Sequence, residues 1–274
     1  MMEDDLFSAL PRDLSICSSN DSDSDIDLDQ SMVDIVCSKY SIIAFSHRFS
    51  RRYLTYAHFN AQSLEPHIED LKFYVSEANL TAIGISETWL KSTIPSKLVE
   101  IAGYRLLRND RFSRRGGGVA IYLKSEIKFK TILESERNSL IEFLFIEIQT
   151  LGHKILLGVV YRPPRNEINI LELEPVLSDL VYKYEQVVIM GDFNLNRAYN
   201  PKGFKDFQRM TSAVSLNLID SGPTHITATS ASTIDLCLVK DSDTVAGFDQ
   251  FRVPGISAHD CLIVSLKCPP IRSN

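Results

Sequence analysis

The chain lacks an apolar segment long enough to cross a membrane: no hydrophobic run reaches the ~18 residues that a bilayer-spanning helix needs. It also lacks the basic start of a secretory signal peptide, because Glu3, Asp4 and Asp5 follow the first two methionines. We therefore expect a soluble, intracellular protein without a membrane partner.

Cysteine is scarce as well. The five cysteines are odd in number, and none lies in a Cys-x-x-Cys motif or at a Cys/His spacing typical of zinc sites. The pattern favours free thiols in a reducing compartment over a disulfide framework or structural zinc.

The negative charge is concentrated near the N-terminus. The whole chain carries a formal net charge of −6, but residues 1–34 alone carry −9 and residues 35–52 carry +4. The remainder is nearly neutral and contains an arginine cluster at Arg111, Arg114 and Arg115. Such a body is compatible with binding a phosphate backbone, although surface arginines are usually only solvated.

The composition divides the chain into a tail and a domain. Residues 18–29 (SSNDSDSDIDLD) are too polar and like-charged to bury the apolar surface that offsets ordering. We predict that residues 1–50 form an acidic, disordered tail with a short basic and apolar segment, and that residues 51–270 form the folded domain. Residues 33–46 fit a strand, a short helix or an unfolded remnant. Removing residues 1–50 should leave the fold intact.

Short apolar strands alternate with amphipathic helices along the domain. Hydrophobic periodicity predicts strands at 54–59, 81–86, 104–107, 118–123, 141–148, 155–161, 187–190, 233–239 and 262–266. Helices are predicted at 64–75, with Ser63 as its N-cap, and at 170–184 and 204–216. The glycines at 116–118 are better explained by a hairpin than by a phosphate-binding loop.

Polar side chains stand at the ends of several predicted strands. Asn60 and Glu87 each follow a strand directly, and Asp192 and Asn194 follow another. Each residue taken alone is an ordinary turn former. Their repetition at strand ends indicates a functional site.

Seven short motifs follow one another along the domain. They are FNAQSL (59–64), ISETWL (85–90), RGGGVAIYL (115–123), VVYRPP (159–164), MGDFN (190–194), STIDLCL (232–238) and SAHD (257–260). In order and spacing they resemble the endonuclease/exonuclease/phosphatase superfamily. The YRPP and RGGG forms resemble its apurinic-endonuclease-like domain in non-LTR (LINE-like) retrotransposons. The resemblance implies an α/β fold: a four-layer α/β sandwich of two face-to-face, largely antiparallel sheets flanked by helices.

The same resemblance implies hydrolysis of phosphodiesters with Mg²⁺, or alternatively Mn²⁺. Mg²⁺ prefers oxygen ligands and needs only one or two carboxylates when it also contacts a phosphate. By its match to the family's glutamate motif, Glu87 is the expected metal ligand, and Asn60 helps to place the ion. Asp192 is expected to orient and deprotonate the attacking water, with a second metal ligand as its alternative role.

The remaining expected site residues contact the phosphate. The resemblance implies that the Asn194 amide donates to a phosphate oxygen and that the Tyr161 hydroxyl reaches the scissile phosphate. Arg162 is expected to contact the substrate backbone. Asp235 is expected to hold His259, which then donates a hydrogen bond to the phosphate in the transition state.

One position departs from the pattern. The family commonly has aspartate directly before the catalytic histidine, where it contributes to the metal site, but this chain has Ala258, and Asp260 follows the histidine instead. Because alternate residues of an extended segment are about 7 Å apart, Asp260 is a poor substitute. We expect weak Mg²⁺ binding.

Three functions are compatible with these motifs. The first is a DNA endonuclease that nicks target DNA, the second a phosphatase or phosphodiesterase of the same fold with another substrate, and the third a nucleic-acid-binding copy without catalysis. The YRPP motif and the retroelement-like stretch at 223–236 favour the first, with DNA as partner and a nuclear location. A serine hydrolase is disfavoured because no Gly-x-Ser-x-Gly motif is present. Nothing in the sequence indicates a stable protein partner.

Overall fold

The computed structural model describes residues 30–49, 53–112, 114–164, 168–196 and 200–272, so the predicted disorder of 1–29 lies outside the described residues. The helices are α1 (Gln30–His47), α2 (Leu64–Val75), α3 (Glu174–Leu180) and α4 (Pro201–Ala213). The strands are β1 (Tyr53–Asn60), β2 (Ala82–Ser86), β3 (Tyr104–Asn109), β4 (Val119–Lys124), β5 (Phe129–Glu134), β6 (Glu142–Gln149), β7 (Lys154–Tyr161), β8 (Gln186–Asp192), β9 (Asn217–Ile219), β10 (His225–Ile226), β11 (Ala231–Ser232), β12 (Asp235–Val239), β13 (Val245–Phe251) and β14 (Cys261–Lys267).

The strands form two six-stranded sheets and a small hairpin. The first sheet has the order β13-β14-β1-β2-β4-β3, the second has the order β5-β6-β7-β8-β12-β9, and β10 pairs with β11. Each large sheet contains one parallel pair, β1 with β2 and β7 with β8, and its other neighbours are antiparallel. The expectation of largely antiparallel sheets is confirmed.

Alternation along the strands produces the layers. On β1, Tyr56 faces the core between the two sheets, where it meets residues such as Met190 of β8. Phe59 is three positions further along β1 and therefore faces outward, where it packs against α1 and α2 through residues such as Leu71. On the far side, Phe207 of α4 packs with α3 on the outer face of the second sheet. Helices, sheet, sheet and helices are therefore stacked in four layers, as predicted.

Helix α1 covers part of the first sheet. Of the three alternatives left open for residues 33–46, the structure shows a helix, in which Ile42 and Phe45 are buried. The Phe45 ring centroid lies 6.1 Å from that of Phe251 on β13, and Ser46 Oγ accepts a hydrogen bond from Asn79 N at 2.9 Å. Because α1 packs against the first sheet, we now expect the removal of residues 1–50 to destabilise the fold, contrary to the prediction from composition. The domain boundary at residue 50 stays a prediction.

Replacing Phe45 with alanine should destabilise the protein. Deleting a buried aromatic ring costs about 3–5 kcal/mol, which at this chain length lowers the melting temperature by roughly 10 °C. Thermal unfolding followed by circular dichroism measures the shift. The control is Tyr40→Ala, because Tyr40 lies on the same helix but is exposed. Equal melting temperatures for the two variants would show that α1 does not contribute to the core.

Several predicted elements need correction. Ser63 precedes α2 with a φ of 102°, and its side chain makes no capping hydrogen bond. The helix predicted at 170–184 is divided, because one-turn 3-10 helices flank α3 on both sides. Strands β5 and β13 were not predicted, since both lie at sheet edges and neither has a fully buried face. The hairpin expected around the glycines is confirmed by the antiparallel pairing of β3 with β4.

Among the described residues, Cys37, Cys237, Cys261 and Cys268 form no disulfide, and Cys17 lies outside those residues. Within the described ranges, no helix has both the length and the apolar character needed to span a membrane.

Candidate active site

The carboxyl ends of the two parallel strand pairs meet at one edge of the sandwich. In the first sheet Asn60 ends β1 beside Ser86 of β2, and Glu87 follows directly. In the second sheet Tyr161 ends β7 beside Asp192 of β8. The polar residues predicted at strand ends are thus brought together from both sheets.

A single amide links these side chains. Asn60 is buried, and its Nδ2 donates to Glu87 Oε1 at 3.1 Å and to Asp192 Oδ2 at 2.9 Å. The same nitrogen lies 3.5 Å from His259 Nε2. Asn60 Oδ1 accepts from Gln62 N at 3.1 Å. The Asn60 amide nitrogen therefore holds one carboxylate beside each sheet, Glu87 and Asp192, within hydrogen-bond distance of itself.

The loop that carries Glu87 is strained and tightly held. Glu87 and Trp89 both have a φ of 53°, in the left-handed region that costs a non-glycine residue free energy. Trp89 Nε1 donates to Glu87 Oε2 at 3.0 Å, and Trp89 N donates to Gly117 O at 2.8 Å. Sequence reasoning missed this role, although Trp89 is the chain's one tryptophan and lies inside the ISETWL motif. The indole fixes the orientation of the carboxylate.

Asp192 lies at the centre of the site and is fully buried. Its Oδ1 accepts from Asn194 N at 2.9 Å, and its Oδ2 accepts from Asn194 Nδ2 at 3.0 Å as well as from Asn60. Burial raises the pKa of the Asp192 carboxyl well above its ordinary value. The charges of Asp235 and Glu87 raise this pKa further, whereas His259 opposes them. Negative charge is therefore crowded at this position, which suits a bound cation.

Asp235 and His259 form a buried pair. His259 Nδ1 donates to Asp235 Oδ2 at 2.8 Å. Burial lowers the pKa of His259, but the charge and hydrogen bond of Asp235 outweigh it and raise the pKa to about 9. The ring is therefore protonated at neutral pH, and its Nε2, which lies 3.5 Å from Asn60 Nδ2, is a donor that Asp235 does not use.

Further residues that support this pair were not predicted. Thr224 Oγ1 accepts from Asp235 N at 2.9 Å, and Ser257 Oγ donates to Asn60 O at 2.6 Å and accepts from His259 N at 3.2 Å. The His225 ring centroid lies 4.5 Å from that of His259. Of these, only Ser257 lay inside one of the motifs, and no spacing rule links a serine or threonine to partners so distant in sequence.

A second histidine lies beneath Asp235. His58 Nδ1 is 3.9 Å from Asp235 Oδ1, and both atoms are buried. Burial lowers the pKa of His58 to about 4, so this ring is neutral at physiological pH. Its Nε2 lies 3.1 Å from Ser86 Oγ. The buried His58 ring therefore contacts Ser86 on one side and Asp235 on the other.

The two residues at the end of β7 differ in what they can reach. Burial, followed by the charges of Glu87 and Asp192, raises the pKa of Tyr161, so its hydroxyl remains a potential donor in the field of those carboxylates. Arg162 is only 2% exposed. Its guanidinium donates to the carbonyls of Ile168, Phe193 and Asn194. Arg162 therefore fixes loops beside the site, and the substrate contact expected of it is not what the geometry shows.

Comparison with known proteins agrees with this geometry. Residues 57–259 match the Endonuclease/Exonuclease/phosphatase family. The chain belongs to this family. Hydrolysis of phosphoesters is the class of activity of this family. No curated protein sequence matches the chain significantly.

Solved structures of the family share the fold. The endonuclease domain of TRAS1, a telomere-specific non-LTR retrotransposon, aligns with a TM-score of 0.60 at 14% identity over 78% of this chain and 98% of that domain. The AP endonuclease LMAP from Leishmania major aligns with a TM-score of 0.66 at 12% identity, over 88% of this chain and 99% of that one. The Xenopus laevis APE2 catalytic domain aligns with a TM-score of 0.62 at 14% identity, over 81% of this chain and 94% of that domain. At such identities the likeness concerns the fold alone.

The side chains fit the divalent cation that the family typically uses. Asp192, Asp235 and His259 present potential ligand atoms within 4.8 Å of one another. Because His259 is protonated and already bonded to Asp235, we regard that pair as a hydrogen-bonding unit. The carboxylates of Glu87 and Asp192, which converge on the Asn60 amide, form the oxygen-rich side that suits a hard cation. Coordination by Asn60 Oδ1 requires the amide to turn, since that oxygen faces Gln62 N.

The position where the family commonly has a second aspartate is Ala258. Asp260, the nearest carboxylate in sequence, has Oδ2 2.7 Å from Gln250 Nε2, which donates to it, and its main-chain N donates to Thr224 O at 2.7 Å. Its carboxylate is thus engaged on β13. Weak Mg²⁺ binding stays a prediction.

Proposed function

We propose that this protein is a Mg²⁺-dependent endonuclease that nicks one strand of DNA, as in target cleavage by non-LTR retrotransposons. The observation that carries the proposal is the Asn60 amide, which joins Glu87 and Asp192 across the two sheets beside the charged His259. Phosphodiester hydrolysis needs these groups together: oxygen ligands, a base and a donor.

Glu87 would hold the cation, with Asn60 placing it and Asp192 adjacent. When bound, a divalent cation supplies positive charge to the phosphate and promotes ionisation of water. Mn²⁺ prefers the same oxygen ligands and is the expected replacement. The strain and the Trp89 hydrogen bond at Glu87 keep its carboxylate in place before any ion arrives.

The chain's own residues would then move protons and stabilise charge. Asp192, whose pKa is raised by burial, accepts the proton of the attacking water. Asn194 turns its amide from Asp192 towards a phosphate oxygen, and Tyr161 donates from the end of β7. His259, held protonated by Asp235, donates from Nε2 to the phosphate as negative charge develops.

Two observations support DNA over other phosphoesters as the substrate. The motifs RGGG and YRPP are of the retrotransposon type, and the TRAS1 endonuclease domain is among the similar structures. Arginines cluster on the loop between β3 and β4, beside Tyr161. A chromosomal DNA substrate places the protein in the nucleus, which we also propose.

Purified full-length protein should convert supercoiled plasmid to open circles in the presence of Mg²⁺ or Mn²⁺. Adding EDTA should stop the reaction, because the crowded carboxylates of Glu87 and Asp192 require a cation to bind a phosphate. Agarose gels follow the conversion, and Glu87→Gln should raise the Mg²⁺ concentration needed for half-maximal rate.

The alternatives give different results in the same assay. Phosphate release from phosphomonoesters or inositol phosphates, with no open circles, would favour the second function. DNA binding without hydrolysis of either substrate would favour a non-catalytic copy. Nicking that is insensitive to EDTA would contradict the proposed mechanism.

A further inference from the structure

An arginine-lined groove lies beside the candidate active site. A cavity of about 800 Å³ is lined by six cationic side chains and three carboxylates. The cationic side chains are Lys91, Arg108, Arg111, Arg114, Arg115 and Arg137. The groove therefore carries an excess of three positive charges on a chain whose formal net charge is −6.

Most of this positive charge is available to a ligand. Arg108 is paired with Asp110, and Arg111 is paired with Glu142. Within the part of the chain that the structure describes, no carboxylate lies at ion-pair distance from the other four cations. Four such cations in one groove suit the negative charge of a phosphate backbone.

An exposed aromatic ring stands among the arginines. Phe112 is 56% exposed, and the Arg137 guanidinium lies 5.5 Å from its ring centroid. A second, smaller cavity of about 90 Å³ is also lined by this ring. Phe112 and four arginines line both cavities: Arg111, Arg114, Arg115 and Arg137. The ring thus borders both basic cavities.

The groove is continuous with the catalytic groups. The Arg115 guanidinium lies 5.7 Å from the ring of Trp89, whose indole donates to Glu87. The Arg111 guanidinium lies 5.4 Å from the ring of Tyr161. A nucleic acid with its scissile phosphate at Glu87 would therefore extend a few nucleotides along the groove.

We propose that the groove binds an unpaired DNA segment next to the scissile phosphate, with one nucleobase stacked on Phe112 and the flanking phosphates on the arginines. An aromatic ring among cations is the arrangement that holds single strands, because each base offers a stacking face while the backbone meets positive charge. Bases inside a duplex are stacked on each other, so the ring is used only where the duplex is open. The enzyme would thus select junctions between duplex and single strand. The inference rests on the proposed DNA substrate.

Binding, measured without cutting, tests the groove separately from catalysis. The full-length protein carrying Asp192→Ala is titrated in EDTA against fluorescein-labelled duplexes, either blunt or with an unpaired DNA tail. Fluorescence anisotropy gives the Kd, and 2-aminopurine in the tail reports stacking. The tailed duplex should bind more tightly than the blunt one. Phe112→Ala should weaken tail binding on the order of ten-fold with little change for the blunt duplex, and Phe112→Trp should restore it.

Two further variants separate stacking from charge. Arg114→Gln should reduce the salt dependence of tail binding by about one phosphate contact, whereas Phe112→Ala should leave that slope unchanged. Tyr182→Ala is the matched control, since Tyr182 is 70% exposed and carries Lys183 5.5 Å from its ring, but does not line the groove. It should bind like the parent protein.

The opposite results are equally definite. Equal Kd values for blunt and tailed duplexes, or an unchanged Kd in Phe112→Ala, would overturn the proposal. Tighter binding of an RNA tail than of a DNA tail would overturn the assignment to DNA. If none of the duplexes binds and no plasmid is nicked, the proposed function itself fails, whereas nicking with equal Kd values removes only the role of the groove.

Discussion

Replacing Asp192 with alanine is expected to lower the rate of DNA nicking by about 10²- to 10⁴-fold, the range observed when a general base is lost. The carboxylate is buried at the point where Asn60, Asn194 and the His259 ring converge, and burial together with Asp235 raises its pKa. No neighbouring side chain can take over a base at that point, because Glu87 is oriented by Trp89 and Asp235 is bonded to His259. The initial rate of open-circle formation at saturating Mg²⁺ measures the effect.

A control must show that the loss of nicking in Asp192→Ala comes from losing the base and not from removing any buried carboxylate. Glu147→Ala is the control, because Glu147 is also buried and accepts a hydrogen bond from Tyr184 Oη at 3.2 Å, but lies outside the site. Both variants should unfold cooperatively by circular dichroism, and only Asp192→Ala should lose nicking. A folded Asp192→Ala protein with a rate within a few-fold of wild type would remove Asp192 from the mechanism.

Removing His259 or the charge of Asp235 should each reduce nicking on the order of 10²- to 10³-fold, because each change deprives the phosphate of a charged donor. The charge and hydrogen bond of Asp235 are the largest contributions that raise the pKa of His259, so losing the charge lowers this pKa and with it the protonated fraction of the ring. The double variant Asp235→Asn/His259→Ala should be no slower than His259→Ala, since the two residues act as one unit. Rates of the four proteins at one pH give the coupling.

A histidine–carboxylate pair on the surface provides the comparison. His153 and Glu185 form such a pair, but both are exposed. Glu185→Gln should therefore leave nicking unchanged. If the losses from Asp235→Asn and His259→Ala multiply in the double variant, then Asp235 has a role that does not pass through His259.

The candidate site residues were predictable where they lie at the ends of regular strands. Period-two alternation predicted β1, short apolar runs predicted β2 and β8, and polar residues at the ends of these strands, such as Asn60 and Glu87, do meet. The seven motifs predicted the layer order of the sandwich. The strands could be located from local sequence because buried side chains recur at a regular period, whereas the layer order was implied by the family resemblance of the motifs.

The supporting contacts could not be predicted, because they join distant parts of the chain. Ser257 bonds Asn60 across 197 positions, and the Trp89 indole reaches Glu87 only because both residues adopt left-handed backbone conformations. Helix α1 follows an acidic segment whose composition suggested a tail, yet two of its apolar residues, Ile42 and Phe45, pack on the first sheet. Arg162 lies in a motif, but its burial depends on the carbonyls of loops elsewhere.

The pairing of β1 with β14 has a consequence for how the protein is made. Tyr53 lies opposite Lys267, so an interior strand of the first sheet finds one of its two neighbours only at the far end of the domain. During synthesis on the ribosome, the edge of β1 stays unpaired until nearly the whole domain has emerged. Closing so long a loop costs chain entropy before any contact offsets it, which slows folding. Asn60, at the end of β1, therefore meets the His259 ring only once the segment that leads into the last strand has docked, so the candidate site is assembled late in synthesis.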